Sequence, residues 1–360
     1  MTTTTTTATA TSTTRLLPAA LPAALAALAL AALAALCCCG KGGGGGGGAK
    51  TVVASFYPMY IAALNVADGA KGVRVVNMAA QSAGCLHDYG LTPADAALLE
   101  RASALIINGG GAEAFLDKAA AANEKLAVIY ASEHVDFILA GGGSDTAAYD
   151  LGSDSQFAYV GDSLPLPSDE IRDSAAYSDE NYHAHHQAHD IEVNIHAWMS
   201  LSNHIRQIET IAERLSAWDT ANAAVYAKNA KRYTAALAGL RESAARDLSG
   251  AKSRKIAVSH DGFVYLANEF GLTVTAVIEK SSGAAPSAAE IISAVNAVRA
   301  DGPKAIFTEL SRPSPPAKTV AAETGLPVFE LDMAVSGSGE KDSYIRAMEN
   351  NVATLKKALE

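Results

Sequence analysis

The chain has 360 residues, 49% of them hydrophobic and 18% charged, with a formal net charge of −10. That length suits two domains of ordinary size, each able to bury its own core. The acidic balance excludes nucleic acid as the natural partner, because neutralising a phosphate backbone needs basic surface.

Residues 1–14 are almost all Thr and Ala, and Arg15 adds one positive charge before the apolar run from Leu16 to Leu36. Cys37-Cys38-Cys39-Gly40 follows, then glycines at 42–48. A positive start, an apolar core and small residues at the exit describe an export signal. The run is also nearly long enough to span a bilayer, so a retained anchor helix is the alternative. Leu36-Cys37-Cys38-Cys39 resembles a bacterial lipobox, which makes 1–39 a signal peptide with the lipid on Cys39; Cys37 and Cys38 are the alternative positions. Residues 40–50 then form a flexible Gly-rich tether. Cys85 alone remains in the exported part, without an internal disulfide partner.

Beyond the tether, β-rich and helix-like runs alternate. Thr51–Phe56, Val73–Met78, Ala104–Asn108 and Leu126–Tyr130 are predicted strands, with helices at Met59–Ala67 and Pro93–Arg101, the latter capped by Thr92. From about 141 to 190 Gly, Ser and Asp dominate and no period emerges; a loop of that length is either disordered or functional. Helical periodicity returns at Leu201 and persists to Ser249, with Ile205, Ile208, Ile211, Ala212 and Leu215 on one face. Lys255–Ser259, Leu272–Val277, Ala305–Thr308 and Val328–Leu331 are the later strands, with helices at Ser287–Arg299, Pro316–Glu323 and Lys341–Leu359. Strands alternating with helices build parallel sheets. The expectation is two α/β lobes, 51–217 with a His-rich loop and 251–360, joined by one long rigid helix over 218–250.

His87, His196 and His260 lie far apart, each at the edge of a strand-like run, and Asp332 stands in a matching place after Leu331. Ligands of open α/β sheets bind outside the carboxyl ends of the strands, which gathers His87, His260 and Asp332 into one site between the lobes. Imidazoles plus one carboxylate form a tetrahedral set that Zn²⁺ accepts. Glu309, Glu330 or water are alternatives for the fourth place. Within the loop, His183, His185, His186 and His189 have spacings that allow chelation on a flexible chain, or simply mark a solvated linker. His134 is left as background.

The surroundings of these residues carry a resemblance. They read His87-Asp88-Tyr89-Gly90-Leu91-Thr92-Pro93, His196-Ala197-Trp198, Ser259-His260-Asp261-Gly262-Phe263, Leu331-Asp332, and Asn108-Gly109-Gly110-Gly111-Ala112-Glu113. From about Val52 to the C-terminus the chain resembles the zinc and manganese solute-binding proteins of bacterial ABC transporters, closest to the high-affinity zinc-uptake group. The resemblance implies two lobes on a rigid helix, His87, His196, His260 and Asp332 as metal ligands, and a non-enzymatic role. It also implies delivery of the metal to a membrane permease with its ATPase, by a monomer anchored outside the cytoplasm, in the periplasm or at the cell surface. The chain departs from the family pattern at Asn194-Ile195-His196, where Asp-Pro-His is usual, at Leu201 in place of Pro, and at Met333-Ala334 after Asp332.

Three imidazoles favour Zn²⁺ over oxygen-preferring Mn²⁺. The His-rich loop fits an accessory site that collects zinc. Two rivals use the same residues: a zinc hydrolase with Asp88, Asp261 or Glu309 as general base, and an adhesin in which the metal is structural. The spacing lacks the His-Glu-x-x-His pattern of helix-borne zinc proteases.

Overall fold

The computed structural model describes Met1 and residues 49–79, 86, 89–139, 159–160, 193–279, 285–310 and 312–360. The signal segment with Cys39, the first predicted ligand His87, Cys85, and the loop histidines His183, His185, His186 and His189 lie outside them. Residues Ala49–Glu360 form one unit built on two parallel sheets.

The first sheet contains β1 (Lys50–Ala54), β2 (Val73–Asn77), β3 (Ala104–Ile107) and β4 (Ala127–Tyr130), in the order β2-β1-β3-β4. Its helices are α1 (Tyr57–Val66), α2 (Pro93–Glu100) and the short α3 (Asp117–Ala121). Thr92 caps α2 as its sequence suggests: its hydroxyl accepts from the Asp95 N–H, and the Asp95 carboxylate accepts the Thr92 N–H in return. A small antiparallel sheet follows, with β5 (Phe137–Leu139) between β6 (Tyr159–Val160) and β7 (Val193–Asn194). No alternation in the sequence announced it, because each of its strands is only two or three residues long.

Helices α4 (Leu201–Trp218) and α5 (Ala223–Leu248) come next. The predicted apolar face of α4 is buried at Ile208, Ile211, Ala212 and Leu215. The helical stretch breaks once, at Asp219, whose φ of −125° and ψ of 72° leave the helical region. Its carboxylate there accepts from Lys50 Nζ at 2.8 Å, Asn222 Nδ2 at 2.7 Å and the Tyr226 hydroxyl at 2.8 Å. Three partners, one of them charged, outweigh the two or three helical bonds lost. The connecting helix therefore starts at Ala223 rather than 218.

The second sheet contains β8 (Lys255–His260), β9 (Thr273–Glu279), β10 (Ile306–Glu309) and β11 (Val328–Leu331), in the order β11-β10-β8-β9. Around it lie α6 (Phe263–Glu269), α7 (Ala288–Asp301), α8 (Pro315–Thr324) and α9 (Ser343–Leu359). A capping box from Ser287 and Glu290 starts α7, and Gly302 ends it in the left-handed conformation at φ 61°.

Strands β1, β3, β8, β9 and β10 are buried on two faces, so their apolar runs look continuous but divide by alternation. In the first sheet Val53, Leu105 and Ile107 pack outward on Leu99, Leu116 and Ala120. In the second, Ala257, Ala276, Ile278 and Ile306 pack outward on Val295, Val298 and Val320. Their alternating neighbours, Val52, Ala54 and Ile106 in one sheet and Ile256, Val258 and Phe307 in the other, share a single central core with α1, α4, α5 and α9. Each fully buried aliphatic side chain in it stabilises by about 1.5–3 kcal/mol.

A polar belt crosses the carboxyl ends of the first sheet. Glu113 is fully buried and accepts from the Ser55 hydroxyl at 2.8 Å, Asn108 N–H at 2.7 Å and Gly109 N–H at 3.1 Å. Burial pushes its carboxyl up to about 7, against the pull of those three bonds. The stabilisation tied to its proton is complete below the ordinary value of 4.5 and is lost as pH rises through about 7. Glu113→Gln is expected to flatten the fall in unfolding free energy across that window. Urea denaturation at several pH values measures it, and an unchanged slope refutes the assignment.

Candidate metal centre

Sheet register assembles half of the site. His260 closes β8 and stands opposite Glu279 of β9. Phe307 pairs with Val258, which brings Glu309, two residues on, alongside His260. Glu309 in turn pairs with Leu331, the residue before Asp332. A parallel sheet ends all its strands on one edge, so Glu279, His260, Glu309 and Asp332 form a row there.

The other half comes from the chain leaving β7. His196 follows Asn194 and Ile195 and precedes a single 3₁₀ turn, Ala197–Met199. Two contacts fix that segment to the first lobe. Asn108 Nδ2, at the end of β3, donates to the Ile195 carbonyl at 3.0 Å, and Gln207 Nε2 of α4 donates to Asn108 Oδ1 at 2.9 Å. His196 is fully buried as a result. Asn194 Oδ1 accepts its backbone N–H at 3.1 Å and lies 2.8 Å from its Nδ1. An amide oxygen only accepts, so the ring places its proton on Nδ1 and keeps the lone pair of Nε2 for a ligand.

The two halves meet. The rings of His196 and His260 lie edge to face with centroids 4.7 Å apart and an interplanar angle of 85°. The Asp261 carboxylate sits beside both: its Oδ1 is 3.1 Å from His260 Nδ1 and 3.9 Å from His196 Nδ1. One donor atom from each of His196, His260 and Asp261 falls within 4.8 Å of the others, a spacing that fits a metal ion. Gly262 N–H donates to His260 Nδ1 at 3.0 Å and holds the ring at the strand end.

Asp332 is held for the same edge. Its backbone is clamped from both sides by Asn351, which accepts its N–H and donates to its carbonyl, each at 2.7 Å. Its Oδ1 accepts from Ala334 N–H at 2.7 Å. To supply that bond Ala334 takes a left-handed φ of 54°, a conformation a residue with a Cβ adopts only under constraint. Burial raises the Asp332 carboxyl above its ordinary range, opposed by the Ala334 bond. Burial also raises Glu309, which His260 and Arg312 pull down while Asp332 and Glu279 push it up. Carboxyls short of compensating charge in a half-closed place favour a cation.

Of the four expected ligands, then, His196 and His260 touch, Asp332 follows β11 on the same edge but two strands from His260 and outside the His196–His260–Asp261 group, and His87 is outside the described residues. Glu309 is buried beside His260 and Asp332, whereas Glu330 is exposed on β11. From sequence, Asp261 is read only as a general base of the hydrolase alternative, and Asn194 only as a departure from the motif before His196. The signal available for each was adjacency to a histidine in the motif, which says nothing of where a side chain points.

Gly262 allows the halves to approach. A Cβ there would come within 2.9 Å of His196 Cγ and would meet the Met333 methyl group closer still. Gly262→Ala is expected to destabilise the protein by about 1–3 kcal/mol, the range for overpacking a filled site. Equilibrium denaturation of the purified variant checks this, and wild-type stability would show that the contact gives way freely.

Residues 52–358 match the family described as zinc-uptake complex component A, periplasmic. The zinc-binding lipoprotein AdcA of Streptococcus pneumoniae is 31% identical over 202 residues, 55% of this chain and 39% of that protein. The high-affinity zinc uptake system protein ZnuA of Brucella abortus is 28% identical over 312 residues, 86% of this chain and 91% of that one. Among solved structures, the solute-binding protein FpvC of Pseudomonas aeruginosa in complex with Mn²⁺ aligns with a TM-score of 0.68 and 25% identity, covering 86% of this chain and 98% of that one. The chain thus spans 39% of the length of AdcA and nearly all of the other two.

Proposed function

The chain belongs to the periplasmic zinc-uptake component A family, and we propose that it captures Zn²⁺ outside the cytoplasm and hands it to an ABC transporter permease driven by its ATPase. The observation that carries this is the meeting of His196 and His260, from opposite lobes, with the Asp261 carboxylate beside both rings. A cation bound there ties the lobes together without any covalent step.

The ligand set is His87, His196, His260 and Asp332, with Glu309 as the alternative oxygen donor. In this set His196 binds through Nε2, because Asn194 holds its Nδ1. His260 supplies the second imidazole, with Asp261 Oδ1 3.1 Å from its ring. A nitrogen-rich set favours Zn²⁺ over Mn²⁺. Zinc is the cargo, so the role is binding and transfer rather than catalysis. The remaining assignments are a monomer held by a lipid on Cys39, and a loop of His183, His185, His186 and His189 that collects zinc weakly. Among the described residues no helix is long and apolar enough to cross a membrane.

Competitive titration of the metal-free protein with Zn²⁺ and Mn²⁺ tests the proposal. One tight zinc site, much weaker manganese binding and loss of the site in His260→Ala are expected, with affinity falling below about pH 6.5 as imidazoles protonate. A preference for manganese, or no tight site, would overturn it. Deleting residues 178–190 should leave the tight site intact, since a flexible chelating loop must be ordered before it binds. Isothermal titration of the deletion variant reads this directly, and loss of the tight site would sink the accessory role.

A further inference from the structure

Asn194 is 95% buried at the end of β7, and its side-chain amide faces both lobes. The oxygen serves His196, accepting from its backbone N–H at 3.1 Å and lying 2.8 Å from Nδ1. The nitrogen crosses to the second lobe and donates to the backbone carbonyl of Asp261 at 2.9 Å. Asp261 directly follows His260, so this one amide spans from one imidazole-bearing segment to the other. The backbone of Asn194 is fastened across the same boundary: its carbonyl accepts from the Tyr265 hydroxyl of α6 at 2.7 Å. That hydroxyl accepts in turn from the Ile138 N–H of β5 at 2.9 Å.

The chemistry of this position admits few residues. The side chain must accept from an imidazole N–H on one side and donate to a peptide carbonyl on the other. An amide does both. A carboxylate of the same shape keeps the first bond, loses the second and sets an anion against the Asp261 carbonyl. Leucine, also of the same shape, loses both. The departure from the family's usual Asp at this place is therefore a change of function at one atom, from acceptor to donor.

We infer that Asn194 is a positioning residue for zinc, with two separable roles. Its oxygen sets the tautomer and aim of His196, and its nitrogen clasps the His260–Asp261 turn so that the closed arrangement outlasts a single encounter. The inference rests on the zinc-capture proposal above. It places the control of zinc release, apart from zinc coordination, in one hydrogen bond between the lobes.

The two roles are separated by comparing Asn194→Asp and Asn194→Leu in the full chain. Two readouts are needed: the visible absorption of bound Co²⁺, which reports ligand geometry, and the rate of zinc loss into excess chelator. Asn194→Leu is expected to alter the cobalt spectrum and to release zinc at least about tenfold faster, as loss of a partner that orients a ligand does. Asn194→Asp is expected to restore the wild-type cobalt spectrum yet still release zinc about tenfold faster. Release at the wild-type rate from Asn194→Asp, or a wild-type spectrum from Asn194→Leu, overturns the inference. Should neither variant fold, Tyr265→Phe removes the hydroxyl that fastens the Asn194 carbonyl to α6. Faster release with an unchanged cobalt spectrum is then expected, and an unchanged rate overturns the clasp. A wild-type chain that holds no zinc defeats the zinc-capture proposal itself; a tight wild-type site with unaltered release from the variants defeats this inference alone.

Discussion

Trp198 is the point on which the two lobes and the site depend together. Its side chain is fully buried, and its ring meets Phe56, the N-cap residue of α1, edge to face at 4.8 Å. Its indole N–H donates to the Met333 carbonyl at 2.9 Å, one residue past Asp332 in the second lobe. Its own carbonyl accepts from the Tyr344 hydroxyl of α9 at 2.6 Å. The His196 ring lies 5.1 Å from it. One residue, through its ring, its indole N–H and its carbonyl, thus joins the start of α1, the last helix, the Asp332 loop and the His196 ring. Truncating a buried tryptophan typically costs about 3–5 kcal/mol, and here the loss would fall on the boundary that brings His196 and His260 together.

Around that anchor the polar groups divide by purpose. Ser55, Asn108, Glu113, Ser132 and Gln207 bond among themselves and leave the belt below the site internally satisfied. The belt's role is to hold Ile195, and through it His196, at a fixed height above the first sheet. On the second lobe Glu309 is buried and Asp332 half-buried with less compensation, and burial pushes both carboxyls up. The contrast is physical. A satisfied network gives rigidity, whereas carboxyls raised by burial on the edge where His260 ends its strand favour a cation. Away from the site a second set of bonds closes the lobes, with the Tyr57 hydroxyl donating to Ser343 Oγ at 2.9 Å and Asn65 Nδ2 to the Lys341 carbonyl at 2.7 Å. Held at two separated places, the lobes have little room to part widely, which suits capture by small movements.

How far the sequence could be read varied with the kind of signal. Long elements with strong local rules were legible: the Thr92 and Ser287 caps, the apolar face of α4 and all eight strands of the two parallel sheets. The small antiparallel sheet was not, because two or three residues cannot show a period. The break at Asp219 was hidden for another reason. Its partners include Lys50, 169 positions away, and no local pattern records so distant a bond.

The site divides along the same line. The sequence alone determined which residue types could hold a metal, and the strand-edge positions of His260 and Asp332, because periodicity and motif spacing are local properties. Only the tertiary structure decided that His196 and His260 meet ring to ring, that Asp261 stands beside both, and that Asn194 serves one lobe with its oxygen and the other with its nitrogen. Those contacts join positions 64 or more residues apart, or turn on which way a side chain points between neighbours. Both depend on how two sheets pack around one core, and that packing is a property of the whole chain.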